Sequence, residues 1–360
     1  MYQPKFTITN DILANIGLVE AAREVVKNAP LIPVYEAKFV KDAILRTVHH
    51  GTHLEGNDLS LSEAKRVIEG EHIVARDRDV QEVINYRNVI KYIDRLVPSK
   101  KKAGETGGFH YIQTMLKKIN QIVCERVIDS DRSGKYRQVQ VILRNSTTEK
   151  VVFRPPTAVE VSFLLDDFFA WLNSSQGKEV HPVIRAGVSH YYLVAVHPFV
   201  EGNGRTTRAF ATLVLFTEGY DIKKFFSLEE YFDKDARRYY QALTASDRAH
   251  HDLSERDLTP WLEYFTLAMA IELTRIKEQI KRLSLDVKIK SRVGYQVPLN
   301  ERQIKLIEYL EENGSITTSE GRRIVSEYSD DTIVRDFNYF LKEGIVKKKG
   351  RTKAARYIMR

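Results

Sequence analysis

His197-Pro198-Phe199-Val200-Glu201-Gly202-Asn203-Gly204-Arg205-Thr206-Thr207-Arg208 separates two apolar runs, AGVSHYYLVAV at 186–196 and AFATLVLF at 209–216. Both runs read as buried helices, so packing alone does not explain a turn this dense in glycine and charge. Gly202 and Gly204 open backbone conformations closed to other residues, and successive N–H groups can then converge on an anion. If the second helix begins inside the turn, its unpaired N–H groups and positive dipole end face the same anion. Arg205 and Arg208, three apart, share a helical face and can fork onto phosphate oxygens. Glu201 offers the hard oxygen that Mg2+ prefers. His197 is the one group here that changes charge near neutral pH, which suits a general base. The chemistry these parts describe is phosphoryl or nucleotidyl transfer.

The string matches H-P-F-x-D/E-G-N-G-R-x-x-R at every fixed position, and by it the chain resembles the Fic family. The resemblance implies a protein adenylyltransferase that moves AMP from ATP to Ser, Thr or Tyr hydroxyls of a target protein or of itself. It places the ATP phosphates on Gly202, Asn203 and Gly204, with Thr206 and Thr207 in the same stretch. Arg205 and Arg208 would hold the β- and γ-phosphates, Glu201 the Mg2+, and His197 would take the hydroxyl proton. Two other readings stay open: an ATP-sensing transcription regulator, or a Fic enzyme that transfers another phosphate-containing group or removes AMP. The fold implied is mainly α: a Fic-type helical core (105–282) with a β-hairpin flap, after an N-terminal helical region (1–104).

Upstream, apolar periodicity predicts helices near 10–19, 36–50, 65–91 and 90–96. Between the second and third lies Gly51-Thr52-His53-Leu54-Glu55-Gly56-Asn57. It resembles the inhibitory segment S/T-x-x-x-E-G/N of many Fic proteins, in which the glutamate pairs with the second signature arginine, here Arg208. A carboxylate there would take the place of the γ-phosphate. The start of the pattern departs, because Gly51 stands four before Glu55 and the hydroxyl residue Thr52 only three before it. Pro98–Gly108 reads as a connector, followed by a helix over 110–127. Val139, Val141 and Leu143 alternate with polar residues, Asn145-Ser146-Thr147-Thr148 makes a turn, and Val151–Phe153 returns before Pro155-Pro156. That hairpin resembles the flap that pins a target segment beside the histidine in Fic enzymes.

Downstream, helices are expected at 159–173, 228–243 and 258–280. The second would bring Tyr239 and Tyr240 to the adenine, and adjacent residues face different ways, so one stacking tyrosine is the expectation. Residues 283–297 read as a linker. Residues 298–360 resemble a winged helix-turn-helix, with Asn300 and Ser329 as N-caps, Gly314 and Gly344 as helix stops, and a basic wing Lys347-Lys348-Lys349-Gly350-Arg351-Thr352-Lys353. Asp330 and Asp331 open its third helix, where a groove-reading helix usually presents donors, so docking to protein or forming a homodimer competes with DNA binding.

Composition sets the frame. The 360 residues are 43% hydrophobic and 29% charged with net charge +8, an ordinary globular balance. The single cysteine, Cys124, excludes an internal disulfide and fits a reducing compartment. No leader-like start and no apolar run of membrane-spanning length is seen, so a cytoplasmic protein without membrane contact is expected.

Overall fold

The two apolar runs become a helix pair at the heart of the protein. The computed structural model describes residues 2–29, 33–97, 108–144, 151–247, 252–295, 297–350 and 355–360. The chain divides into two units, the larger taking in the N-terminal segment to Lys27 and Pro33–Ile276, the smaller built on Lys277–Arg360. The expected N-terminal and core regions therefore form one unit. The connector between them, 98–107, lies outside the described residues.

Helices dominate the larger unit: α1 (Asn10–Asn28), α2 (Pro33–His53), α3 (Leu61–Glu69), α4 (Asp77–Leu96), α5 (Gln113–Val123), α6 (Val161–Asn173), α7 (Ser175–Glu179), α8 (Pro182–Val196), α9 (Asn203–Thr217), α10 (Leu228–Lys234), α11 (Ala236–Asp247) and the first half, to Ile276, of α12 (Thr259–Val293), whose remainder belongs to the smaller unit. Apart from Arg208-like exceptions of charge, α8 and α9 carry apolar residues on every face, and a helix of that pattern must be enclosed. Every residue of α9 except Gly204 is buried. The pair is covered by α5, by α4 and by Trp261, whose indole N–H donates to the Gly187 carbonyl at 2.8 Å.

Several expectations are corrected. The helix expected over 65–91 is broken at Gly70, so α3 and α4 are separate. The expected 228–243 helix divides at Asp235 into α10 and α11. Residues 283–293, expected as linker, continue α12 to Val293, with Leu285 and Ile289 buried as helical neighbours. The hairpin is real but short: β1 (Leu143–Arg144) pairs antiparallel with β2 (Val151–Phe153). Val139 and Val141 stay outside it. The Val139 carbonyl is taken by Arg137 Nη1 at 3.2 Å, and Pro155 and Pro156 have no N–H to extend a ladder. Its expected turn at 145–148 lies outside the described residues.

In the smaller unit α13 (Glu301–Asn313), α14 (Thr318–Ile324) and α15 (Asp330–Lys342) accompany β3 (Ile316–Thr317), β4 (Val346–Lys349) and β5 (Arg356–Met359), in the antiparallel order β3-β5-β4. Asn300 and Ser329 cap α13 and α15 through their side chains. Leu306, Leu310, Ile333 and Phe337 fill the centre, and the Phe337 and Tyr357 rings stack at 4.2 Å. Residues 351–353 of the expected wing lie outside the described residues.

No described helix is long and apolar enough to cross a membrane.

Candidate active site

His197 ends α8 in a left-handed conformation, φ 50°, with its N–H still donating to the Leu193 carbonyl at 3.0 Å. Asn203 then closes the turn on itself: its carboxamide accepts from Phe199 N at 2.9 Å and donates to Phe199 O at 2.8 Å. Gly202 turns through φ 73°, and a Cβ there would come within 2.8 Å of Val123 Cγ1 and 2.9 Å of Cys124 Sγ. Both torsion and space therefore demand glycine. Asn120 on α5 holds the far side, its amide nitrogen donating to Glu201 O at 2.9 Å and to Thr206 Oγ1 at 3.2 Å. Arg137, 1% exposed, fixes the near side by donating to the carbonyls of His197 (2.8 Å) and Pro156 (2.6 Å). The base of the hairpin and the histidine thus share one buried guanidinium.

The His197 imidazole is pushed down to about 4 by burial, against the smaller opposing pulls of the Val194 carbonyl and Glu55. It is therefore neutral at physiological pH and able to accept a proton. Cys124, behind the turn, has its thiol pushed up to about 12 by burial and is no nucleophile.

The two signature arginines have different partners. Arg205 places Nη1 3.0 Å from Glu82 Oε1 and Nη2 3.2 Å from Glu201 Oε1. Arg208 donates from Nη1 to Glu55 Oε1 and from Nη2 to the Gly51 carbonyl, both at 2.9 Å. Burial alone would raise the Glu55 carboxyl, but Arg208 and then Arg205 hold it below the ordinary carboxylate range. The Glu55 carboxylate rests on the first turn of α9, where a Cβ on Gly204 would lie 2.1 Å from Oε1. An anion already sits where the helix N-terminus invites one.

Gly51 stands where the inhibitory pattern has a hydroxyl, and the structure gives a reason. A Cβ there would meet Tyr86 Cε1 at 2.4 Å. Tyr86 is itself held by its hydroxyl on Glu229 at 2.9 Å. The Thr52 hydroxyl turns back to the Val48 and His49 carbonyls, both at 3.0 Å, and takes no part in the contact with Arg208.

Beside these groups is a cavity of about 200 Å³ lined by His197, Gly204, Arg208, Glu55, Tyr239 and Tyr240, together with Phe153 of β2 and the apolar Val194 and Leu243. Of the expected site residues, Glu55, His197, Asn203, Gly204, Arg208, Tyr239 and Tyr240 line it, whereas Glu201, Gly202, Arg205, Thr206 and Thr207 do not. Tyr239 is buried, its hydroxyl 3.3 Å from His190 Nε2 and its ring stacked on Phe232 at 4.9 Å. Tyr240 is half-exposed with its hydroxyl on the Leu54 carbonyl at 3.4 Å. The side chains of Thr206 and Thr207 are buried, and the Asn203 amide is spent on Phe199. Glu201 receives Gly202 N at 3.1 Å, Arg205 at 3.2 Å and Arg78 at 3.5 Å, all on Oε1. Among the described residues no three His, Cys, Asp or Glu side chains group to hold a metal unaided. Arg137, Asn120, Glu82, Arg78 and Tyr86 carry no motif and were not legible as site residues.

Residues 111–215 match the Fic/DOC family model. Protein adenylyltransferase Fic of Aedes aegypti is 29% identical over 182 residues, covering 50% of this chain and 34% of that protein. The protein of the same name from Drosophila grimshawi is 29% identical over 185 residues, again 50% and 34%. The chain thus matches about a third of the length of these relatives. In fold it is similar to a Fic family protein of Desulfovibrio desulfuricans G20 (TM-score 0.62, 20% identity, 100% of this chain and 98% of that one). A Fic domain containing signaling protein of Bacteroides thetaiotaomicron aligns with TM-score 0.59 and 21% identity over 76% of this chain and 98% of that one. With signature, turn and helix pair in agreement, residues 111–215 of this chain form a Fic/DOC domain.

Proposed function

We propose that this protein is an adenylyltransferase that transfers AMP from MgATP to a hydroxyl of a target protein, and that Glu55 inhibits it. The observation that carries the reading is the shared cavity. A neutral imidazole, His197, lines it together with an anion-seeking helix start that Arg208 flanks. The hydroxyl gives its proton to His197, and its oxygen forms a bond to the α-phosphorus. The bond from that phosphorus to the β-phosphate oxygen breaks and pyrophosphate leaves. Positioning and charge neutralisation supply the rate.

Gly204 and Arg208 hold phosphate oxygens in this reading once Glu55 is displaced. Glu201 fits Mg2+, because its three contacts fall on one oxygen and Mg2+ bound with phosphate needs only one or two carboxylates. The ion would neutralise phosphate charge. Tyr240 and the apolar wall of Val194 and Leu243 suit the adenine, and Tyr239 supports Tyr240 from the core. Phe153 in the cavity wall supports a role for β2 in holding an extended target segment by strand addition. The smaller unit is read as a winged helix that docks protein. Lys347, Lys348 and Lys349 are exposed, but α15 opens with Asp330 and Asp331, and two carboxylates there repel a phosphate backbone.

The test is incubation with Mg2+ and either α-32P-ATP or γ-32P-ATP. Protein label from the α-position only, absent in His197→Ala, is expected. Label from the γ-position, or AMP transfer retained in His197→Ala, contradicts the mechanism.

A further inference from the structure

Two arginines divide the same pair of carboxylates, and they differ in freedom. Arg205 is walled in, its side chain 2% exposed between Glu82 and Glu201. Arg78, in the first turn of α4, reaches the same Oε1 atoms, with Nε 3.0 Å from Glu82 and Nη2 3.5 Å from Glu201. Its side chain is 55% exposed, and that of Glu201 is 33% exposed. Arg78 is therefore the cation on the solvent edge of the one carboxylate suited to the nucleotide's metal. Nothing in the Fic signature points to it, because it lies more than a hundred residues upstream of Glu201.

We infer that Arg78 is a phosphate-contacting residue: it turns from Glu82 onto the β- and γ-phosphate oxygens of MgATP and stabilises pyrophosphate as it leaves. This rests on the reading of the site as a MgATP site. Three features support it. A guanidinium forks onto phosphate oxygens, and Arg78 begins within 3.5 Å of Glu201. Glu82 keeps charge compensation when Arg78 departs, since Arg205 Nη1 remains 3.0 Å from Oε1 as an ion pair and the Asn57 amide donates to Oε2 at 3.1 Å. Lastly, Glu82, Glu201, Arg205 and Arg78 sum to zero charge, whereas the first three alone carry a net negative charge facing a polyphosphate. When the bond between the α-phosphorus and the bridging oxygen breaks, its electron pair goes to the pyrophosphate. A cation placed beside that group acts where charge develops.

Calorimetric binding to the full chain decides the matter, in a Glu55→Gly background so that no carboxylate competes. The ligands are magnesium pyrophosphate, MgATP and AMP, and the proteins carry Arg78, Arg78→Ala or Arg78→Lys. Arg78→Ala is expected to weaken pyrophosphate and ATP by about tenfold to a hundredfold, the span of a hydrogen bond to a charged group. AMP affinity stays within about twofold, and Arg78→Lys recovers part of the loss because it keeps the charge without the fork. Unchanged pyrophosphate binding in Arg78→Ala overturns the inference. So does a parallel loss of AMP and pyrophosphate, which would mean that Arg78 only supports α4. A parent protein that binds none of the three ligands overturns the nucleotide reading itself.

Discussion

Arg205 and Arg208 lie one turn apart on α9, are equally buried at 2% side-chain exposure, and are used differently. Arg205 is held by Glu82 and Glu201, so its charge is balanced within the framework of the site. Arg208 is held by one carboxylate and one carbonyl, Glu55 in the turn after α2 and Gly51 in its last turn. It also borders the cavity, which Arg205 does not. On the proposed function, Arg208 is the working arginine because Glu55, its partner, belongs to a segment that ATP would displace. Arg205, paired on both sides within the framework, would on the same reading act chiefly to hold Glu82 and Glu201 in place.

The largest effect that separates the two is on stability. Arg205→Ala leaves the buried Glu82 with less compensation, and breaking such a pair costs roughly 3 kcal/mol or more. A clear fall in the urea or thermal midpoint is expected; a variant as stable as wild type would break the comparison. Next comes the rate. In a Glu55→Gly background, Arg208→Ala should lose about two to three orders of magnitude in AMP transfer, as for removal of one preorganised donor. Its unfolding midpoint should move less than that of Arg205→Ala. If the two variants fall equally in both measurements, the division of labour is wrong.

A third effect is the dependence on pH. His197 titrates at about 4 when folded against 6.5 for the free group, because burial disfavours its cation. The unfolded chain therefore binds the extra proton across that window, and stability falls as pH drops through it. Glu55 acts in the same direction below it, since its lowered carboxyl contributes stability that is lost on acidification through the ordinary carboxylate range. Transfer should hold steady at neutral pH and fail as pH falls through about 4. A urea-midpoint titration in which His197→Ala loses as much as wild type between pH 6.5 and 4 would show that the buried imidazole is not the source.

What the sequence disclosed follows from range. The turn 197–208 is contiguous, so its glycines, charges and flanking apolar runs could be read directly, and His197, Asn203, Gly204 and Arg208 of it line one cavity. Glu55 was legible because its short segment resembles a known pattern, although only the structure explains why Gly51 must replace a hydroxyl against Tyr86. Arg137 and Asn120 were invisible. Each acts through hydrogen bonds to backbone carbonyls some sixty to eighty residues away, and a carbonyl leaves no mark on side-chain pattern. The hairpin was overestimated because alternation reports a pleated face, not whether the carbonyls are already engaged, as that of Val139 is by Arg137. The linker at 283–297 was expected from its mixed polarity, yet Leu285 and Ile289 lie four apart on one buried stripe that extends α12.

The most direct test of Arg208 as the arginine under restraint is the rate of α-32P-AMP incorporation in wild type, Glu55→Gly and the double variant Glu55→Gly with Arg208→Ala. If Glu55 limits the competent fraction, its removal should raise labelling about tenfold or more, and the second substitution should abolish the gain. Equal labelling in wild type and Glu55→Gly, or a gain that survives loss of Arg208, would contradict the account.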